Sequence, residues 1–299
     1  AIFKQPSGLA ENAENMGNLP PNYYTNLAQG KDPEFVKVYI GGEYGFIIDG
    51  RPVYGGTPAD QSVIDAIAAF RDAGKATMFY PFVLMDQLAG NGRPDPWTGA
   101  ADQPALPWRG RITLSRAPGR DGSPDRTRDA ETELRAFLGQ ANVNDVIIRN
   151  KTIVHSGVED WGYRRFILHY ARLCQLAGGV DAFCIGSELR GLTQIRGPGD
   201  SFPFVQELRR LAGDVRAILG PKTKISYAAD WSEYFGLVAD GNRYHHLDPL
   251  WADEAIDFVG IDNYMPISDW RAGEDHLDAR FGSIASVGTD SPVISALSI

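Results

Sequence analysis

Two cysteines in 299 residues are too few for a disulfide framework. Cys174 and Cys184 fall on one expected helix and the strand after it, where buried thiols serve as small apolar side chains. The five histidines show no ligand spacing with each other or with the cysteines, so neither a metal site nor a cofactor is expected. No apolar run approaches the ~20 residues of a membrane span. The amino terminus Ala1-Ile-Phe-Lys lacks the basic start and apolar core of a secretory signal, so any signal is expected to have been removed, or the chain to be a segment of something larger. A Gly-rich turn followed by Lys and Ser or Thr, which phosphate chemistry would want, is absent, as is the Gly-x-Ser-x-Gly of serine hydrolases. Cations are in deficit, 29 Lys and Arg against 38 Asp and Glu, and the net charge of -9 speaks against a nucleic-acid partner. A neutral substrate is easier to accommodate.

What the chain does have is enough apolar material, 43% of residues, to bury a substantial core. One barrel domain of roughly 250 residues fits the length better than two ordinary domains. Its most informative stretch is Gly186-Ser187-Glu188-Leu189, which ends the apolar run Asp181–Ile185. A short buried strand that breaks at Gly and then presents a carboxylate is placing that acid where a pocket opens. Just before it, residues 161–178 carry apolar side chains at helical spacing and stop at Gly178-Gly179. Helix, tight turn, strand and terminal acid together describe one unit of a parallel α/β barrel. The plainer reading of Glu188 alone is a helix cap or surface acid after a core strand.

The same unit recurs. Residues 1–34 are polar and turn-rich, an extended lead-in. Phe35–Ile40 and Phe46–Ile48 read as strands, with Asp49-Gly50 turning the chain. Thr57-Pro58 reads as a cap and first turn for a helix carrying Val63, Ile64, Ile67, Ala68 and Phe70 on one face and ending at Gly74. The strand Ala76–Val83 follows, offering Tyr80, Met85 and Asp86 to the rim that Glu188 shares. From Gly90 to about Pro124 the chain is rich in Gly, Pro, Asp and Arg, with Trp97 and Trp108 embedded. These indoles are either stacking platforms for sugars or anchors for the loop. Ala130–Leu138 is helical in pattern and residues 143–154 suggest a hairpin, so about 87–155 reads as a long insertion in one domain spanning 35–299. Beyond Glu188, a helix at 205–219 leads to the strand Lys224–Ala229, which delivers Asp230-Trp231-Ser232-Glu233-Tyr234, and Ile256–Ile261 delivers Asp262-Asn263-Tyr264. Three strands thus end in acids flanked by aromatic residues, a recurrence that core packing does not require. His169 reads as structural, and His245-His246 as a solvated turn in preference to a rim position.

Hydrolysis of a glycosidic bond uses two carboxyl groups across the anomeric centre, one protonated and one ionised. Aromatic faces take the apolar side of a sugar, while Asp and Asn take its hydroxyls. Candidate catalytic acids are Glu188 as proton donor, with Asp262 or Glu233 as the second carboxylate. Candidate sugar contacts are Tyr80, Asp86, Trp97, Asp230, Trp231, Tyr234, Asn263 and Tyr264.

These strand ends, Phe183–Glu188, Ser226–Tyr234 and Asp257–Tyr264, resemble those of clan A glycoside hydrolases of the endo-β-mannanase type. Tyr54–Pro58, Tyr80–Asp86, Asp95–Gly99, Pro107–Thr113 and Pro266–Trp270 resemble more closely the TIM-barrel-like domain of the large baseplate protein of gene transfer agents and related phage tails. The resemblance runs from about residue 51 to about residue 278. It implies that Glu188, in the place of the acid ending strand four, is the acid/base. The nucleophile of the pattern is a Glu ending strand seven; after Asp278 the chain departs from the pattern, Ser291–Ile299 offers no Glu, and strand eight is missing. The first 50 residues depart as well.

The expectation is therefore an α/β fold, (β/α)8 TIM-barrel-like, complete or lacking its C-terminal strands, that hydrolyses a β-linked polysaccharide or cell-wall glycan. The alternative is a non-catalytic glycan-binding or structural module of a phage-like tail baseplate. Expected partners are an oligo- or polysaccharide and, on the baseplate resemblance, tail components or further copies of the chain, in an extracellular or virion-like setting.

Overall fold

The computed structural model describes residues 59–83, 85, 89–157 and 162–264, together with the backbone of 45–48 and 51–54. The expected strand at 35–40, the Thr57-Pro58 cap, Asp86, and the segments 266–270 and 291–299 lie outside the described residues.

Gly45–Ile48 (β1) pairs antiparallel with Arg51–Tyr54 (β2), Phe46 opposite Val53. The second strand escaped the sequence reading because Pro52 interrupts its pattern. Helix α1 (Asp60–Asp72) buries Val63 and Ile67, while Phe70 near its end stays 38% exposed, against the expected face. Only Met78–Phe79 (β3) of the expected Ala76–Val83 strand pairs in the sheet. The chain then wanders through an irregular segment whose one helical turn is a 3-10 turn at Arg109–Arg111. Helix α2 (Arg128–Leu138) starts where the Thr127 hydroxyl accepts the Asp129 N–H at 3.2 Å, with Asp129 and Glu131 in its first turn. Both features favour a helix N-terminus, the first by satisfying an orphan donor and the second through the helix dipole. Val146–Arg149 (β4) and Thr152–His155 (β5) form the anticipated hairpin.

The principal layer follows. Helix α3 (Tyr163–Leu176) and strand β6 (Ala182–Ser187) are succeeded by the short α4 (Arg190–Thr193), by α5 (Pro203–Leu219) and by strand β7 (Lys224–Asp230). A small hairpin, β8 (Leu237–Ala239) with β9 (Asn242–Tyr244), turns at Asp240-Gly241, where φ is 52° and 75°. Two successive positive φ values are the mark of a type I′ turn, and Asp-Gly is its preferred pair. Helix α6 (Asp248–Trp251) and strand β10 (Gly260–Asp262) complete the described chain.

Among the described residues, β10, β7, β6 and β3 form one parallel sheet in that order, with Asp262 beside Asp230 and Phe79 beside Phe183. Each strand neighbours the strand before it in this succession, joined by helical crossovers, which is the winding of a TIM-type barrel. The four strands make an arc, so the fold is α/β and TIM-barrel-like without closure in this part of the chain.

The core lies between this arc and helices α3 and α5. Phe204, Leu208, Leu211, Val215 and Ile218 recur at helical spacing along α5 and are at most 4% exposed. Each such side chain contributes roughly 1.5–3 kcal/mol by leaving water. Phe79 links the edge strand to this core through ring contacts at 5.2 Å with Tyr170 and 5.7 Å with Phe183.

One irregularity in the sheet positions the site. Cys184 pairs with Ser226, yet Ser187 pairs with Ala228, so β6 carries one more residue than β7 between those points. A bulge of this kind re-aims the residues that follow it. A Cβ on Gly186 would stand 2.6 Å from the Tyr163 hydroxyl, so the bulge is available only to glycine.

Candidate active site

Glu188 follows that bulge with φ of 50°, a left-handed conformation that a non-glycine residue holds only when its surroundings fix it. Two hydrogen bonds do so. The Glu188 N–H donates to the Ala228 carbonyl at 2.8 Å, and the Leu189 N–H donates to the Tyr227 hydroxyl at 2.8 Å. The residue is 5% exposed.

Its carboxylate meets three groups. Trp108 Nε1 donates to Oε2 at 2.5 Å, Arg109 Nη2 lies 3.0 Å from the same oxygen, and the Asp262 carboxyl is near enough to act on it. Burial pushes the Glu188 carboxyl above its ordinary value; Trp108 and Arg109 pull it down, and Asp262 raises it again.

Asp262 comes from the end of β10 and is fixed from the other side. The Tyr80 hydroxyl donates to its Oδ2, and the Ser187 hydroxyl reaches the same atom at 3.3 Å. Tyr80 and Ser187 also touch at 2.7 Å. Burial and the Asp262 carboxylate raise the Tyr80 phenol, which therefore remains a donor at neutral pH. Cys184 lies close enough to feel Asp262, and burial pushes its thiol up to about 12, so it is no nucleophile.

Glu188, Asp262 and Tyr80 are thus brought together from β6, β10 and the end of β3. Glu233 is not with them. Its Oε1 accepts from Thr193 Oγ1 at 2.5 Å, and its Oε2 from the Asp230 N–H at 2.8 Å and the Tyr227 hydroxyl at 3.3 Å. It lines a different cleft of about 220 Å³ together with His246 and Trp251. The structure thus engages both of its oxygens with Thr193 of α4, Tyr227 of β7 and the turn it caps, and no bond joins it to Glu188 among the described residues. Burial lifts Glu233 to about 7. Asp230 is committed likewise, accepting the Ser232 N–H at 3.0 Å in the same capping box.

Of the remaining sugar-contact candidates, Trp231 is half-buried beside that box, while Asn263 and Tyr264 are exposed, Tyr264 to 68%, just after Asp262. Tyr234 is 62% exposed, stacked edge-on with Phe235 at 5.4 Å. Trp97 lies away from the acids, its Nε1 donating to the Arg111 carbonyl at 2.8 Å. Asp86 lies outside the described residues. His169 is structural, 4% exposed and held between Asp60 at 2.9 Å and His155 at 3.1 Å. His246, read as part of a solvated turn, is instead 2% exposed, and burial lowers it to about 4.

Sequence reasoning missed Arg109 and Ser187, and saw Trp108 only as a platform or anchor. The available signal was Pro107–Thr113, a motif noted for its resemblance but not for chemistry. The 3-10 turn delivers both Trp108 and Arg109 to Glu188, and Gly191 in α4 lets that turn close in: a Cβ there would collide with the carbonyls of Gly110 and Ile112.

Comparison with known proteins bears on this arrangement. Residues 161–291 match the family model of the GTA TIM-barrel-like domain. Glu188, Asp262 and Glu233 fall inside the matched segment, whereas Tyr80, Trp97, Trp108 and Arg109 precede it. No curated protein matches the chain. Among solved structures, a complex of a GH113 beta-1,4-mannanase is similar at 14% identity with a TM-score of 0.39, covering 90% of this chain and 62% of that one. The chain thus spans less than two thirds of that protein.

Proposed function

We propose that the protein is a glycoside hydrolase that cleaves a β-linked polysaccharide or cell-wall glycan, with Glu188 as proton donor and Asp262 as the second carboxylate. The observation that carries this reading is the approach of two carboxyls from separate strand ends, one raised by burial and bonded by the Trp108 indole, the other bonded by the Tyr80 phenol. Two carboxyl groups of this kind are what glycosidic hydrolysis requires. Arg109 and Tyr80 hold the two acids, one each, and the sugar enters between the carboxyls.

The test is release of reducing ends from a panel of β-linked polysaccharides. Glu188→Gln should lower turnover by about 10²–10⁴-fold, the usual worth of a general acid, while sugar binding persists. Equal turnover in the two proteins would end the assignment.

A second reading has an observation of its own. Glu188 Oε2 is engaged at once by Trp108 and Arg109, a saturation that suits a fixed structural carboxylate. Under it the protein is a glycan-binding or structural module of a phage-like tail. Binding across the panel without any turnover would favour it.

A further inference from the structure

The insertion holds a second cleft, of about 210 Å³. Trp97, Pro104, Pro107 and Arg111 frame it, with Arg93, Asp95, Gln103 and Thr113 as polar lining. We propose that this cleft is a sugar subsite, occupied by a neutral pyranose of the same glycan chain whose linkage is presented to Glu188. The proposal rests on the glycosidase or glycan-binding reading above and names where the rest of the polymer lies.

Four observations support it. One wall is the flat indole of Trp97, which matches the C–H face of a pyranose and is 37% exposed although its Nε1 is fixed at 2.8 Å to the Arg111 carbonyl; Pro96, Pro104 and Pro107 add apolar surface. The Thr113 hydroxyl is buried without a hydrogen-bond partner among the described residues, and a buried polar group of this kind calls for one from a ligand. Arg111 lies over the Trp97 ring at 5.9 Å and bonds both oxygens of Asp95 at 3.2 and 3.1 Å. Burial alone would raise Asp95, yet the Trp97 N–H, the Thr98 hydroxyl and Arg111 hold it below the usual carboxylate range. The Arg111 charge is therefore paired on site with Asp95, while its remaining N–H groups are suited to hydroxyls. Lastly, the cleft adjoins the acids through the chain itself: Pro107 lines it and the next residue, Trp108, bonds Glu188.

The experiment follows the indole Nε1–H resonances of isotope-labelled protein during titration with β-1,4-linked hexaoses of glucose, mannose and N-acetylglucosamine. At least one hexaose should shift the Trp97 signal saturably, in Glu188→Gln as in the unaltered protein. Trp97→Ala should weaken that hexaose about tenfold, and Trp97→Phe, which keeps a ring face, should restore most of the affinity. A hexaose that shifts Trp108 but leaves Trp97 unmoved overturns the subsite, as does unchanged affinity in Trp97→Ala or a Trp97 signal inert to all three. Since the readout is binding, hydrolysis that survives in Glu188→Gln sinks the catalytic assignment without touching this one.

Discussion

Arg109 and Glu188 are joined at 3.0 Å, and the same guanidinium donates to the Ser187 carbonyl at 2.9 Å and its hydroxyl at 2.5 Å. One cation from an irregular segment thus fixes both residues that end β6. The Phe82 ring, 4.8 Å from the guanidinium carbon, holds that cation from another side. With side-chain exposures of 15% and 6%, the pair is largely out of water, where removing one partner leaves a costly lone charge.

Arg109→Met tests this balance. Burial has already raised Glu188, and a group so shifted contributes stability that is present below its ordinary value of 4.5 and lost as pH rises through its folded value. Without the cation the carboxyl rises further, so the loss deepens. Urea unfolding should show the variant weaker at pH 4 through the lost Ser187 bonds, and weaker still, by up to about 3 kcal/mol more, at pH 8. A deficit that is the same at both pH values would contradict the argument.

Glu233 provides a second pH signature, independent of catalysis. Its folded value of about 7 against an ordinary 4.5 means that it stabilises the fold most below pH 4.5 and progressively less as pH rises through 7. Glu233→Gln removes the titration and keeps the shape: the amide oxygen accepts the Asp230 N–H and the amide nitrogen donates to Thr193. The change in melting temperature between pH 4.5 and pH 8 should therefore shrink in the variant. An undiminished change would assign that pH dependence elsewhere.

How far the sequence reaches is visible in these same residues. Glu188 was legible because a buried strand leaves an apolar run and the acid that follows it stands out; Asp262 follows only a short half-buried strand and was legible by its recurrence at a strand end. Helices α3 and α5 were legible through their spacing and terminal glycines. Arg109 was not, because it lies 78 residues before Ser187 in a segment without period, where only the folded chain shows what a side chain meets. Glu233 reads two ways for the opposite reason: an acid three residues after Asp230 is also a capping box, and the Asp230 N–H and the distant Thr193 hydroxyl occupy it. The β8–β9 hairpin did carry a signal, Asp240-Gly241, that went unread between two strands of three residues each.

Gly110 bears on the indole of Trp108, which folds back over it. A Cβ at this position would overlap the ring of Trp108. Gly110→Ala should therefore push the indole off Glu188, taking away the Nε1 donor that helps hold that carboxyl down. The expected result is a Trp108 indole resonance that moves toward its solvent-exposed position and a lower melting temperature. A Trp108 signal identical to that of the unaltered protein would show that the turn yields instead.

Tyr227 is completely buried and links the two acid clusters, accepting from the Leu189 N–H at 2.8 Å and donating to Glu233 at 3.3 Å. Its hydroxyl thereby fixes the peptide directly after Glu188, whose own φ of 50° requires such support. Tyr227→Phe keeps the ring packed against Trp251 but leaves a buried N–H unpaired, at a cost of about 1–3 kcal/mol. If the hydroxyl only supported the core, stability would fall while turnover per folded molecule stayed the same. As a positioning residue it should in addition lower kcat on the glycan substrate with little change in KM, because the acid, once misplaced, is lost to the transition state more than to binding. Glu233→Gln, which retains an acceptor for Tyr227, should spare kcat; a kcat unchanged in Tyr227→Phe would confine this hydroxyl to a structural role.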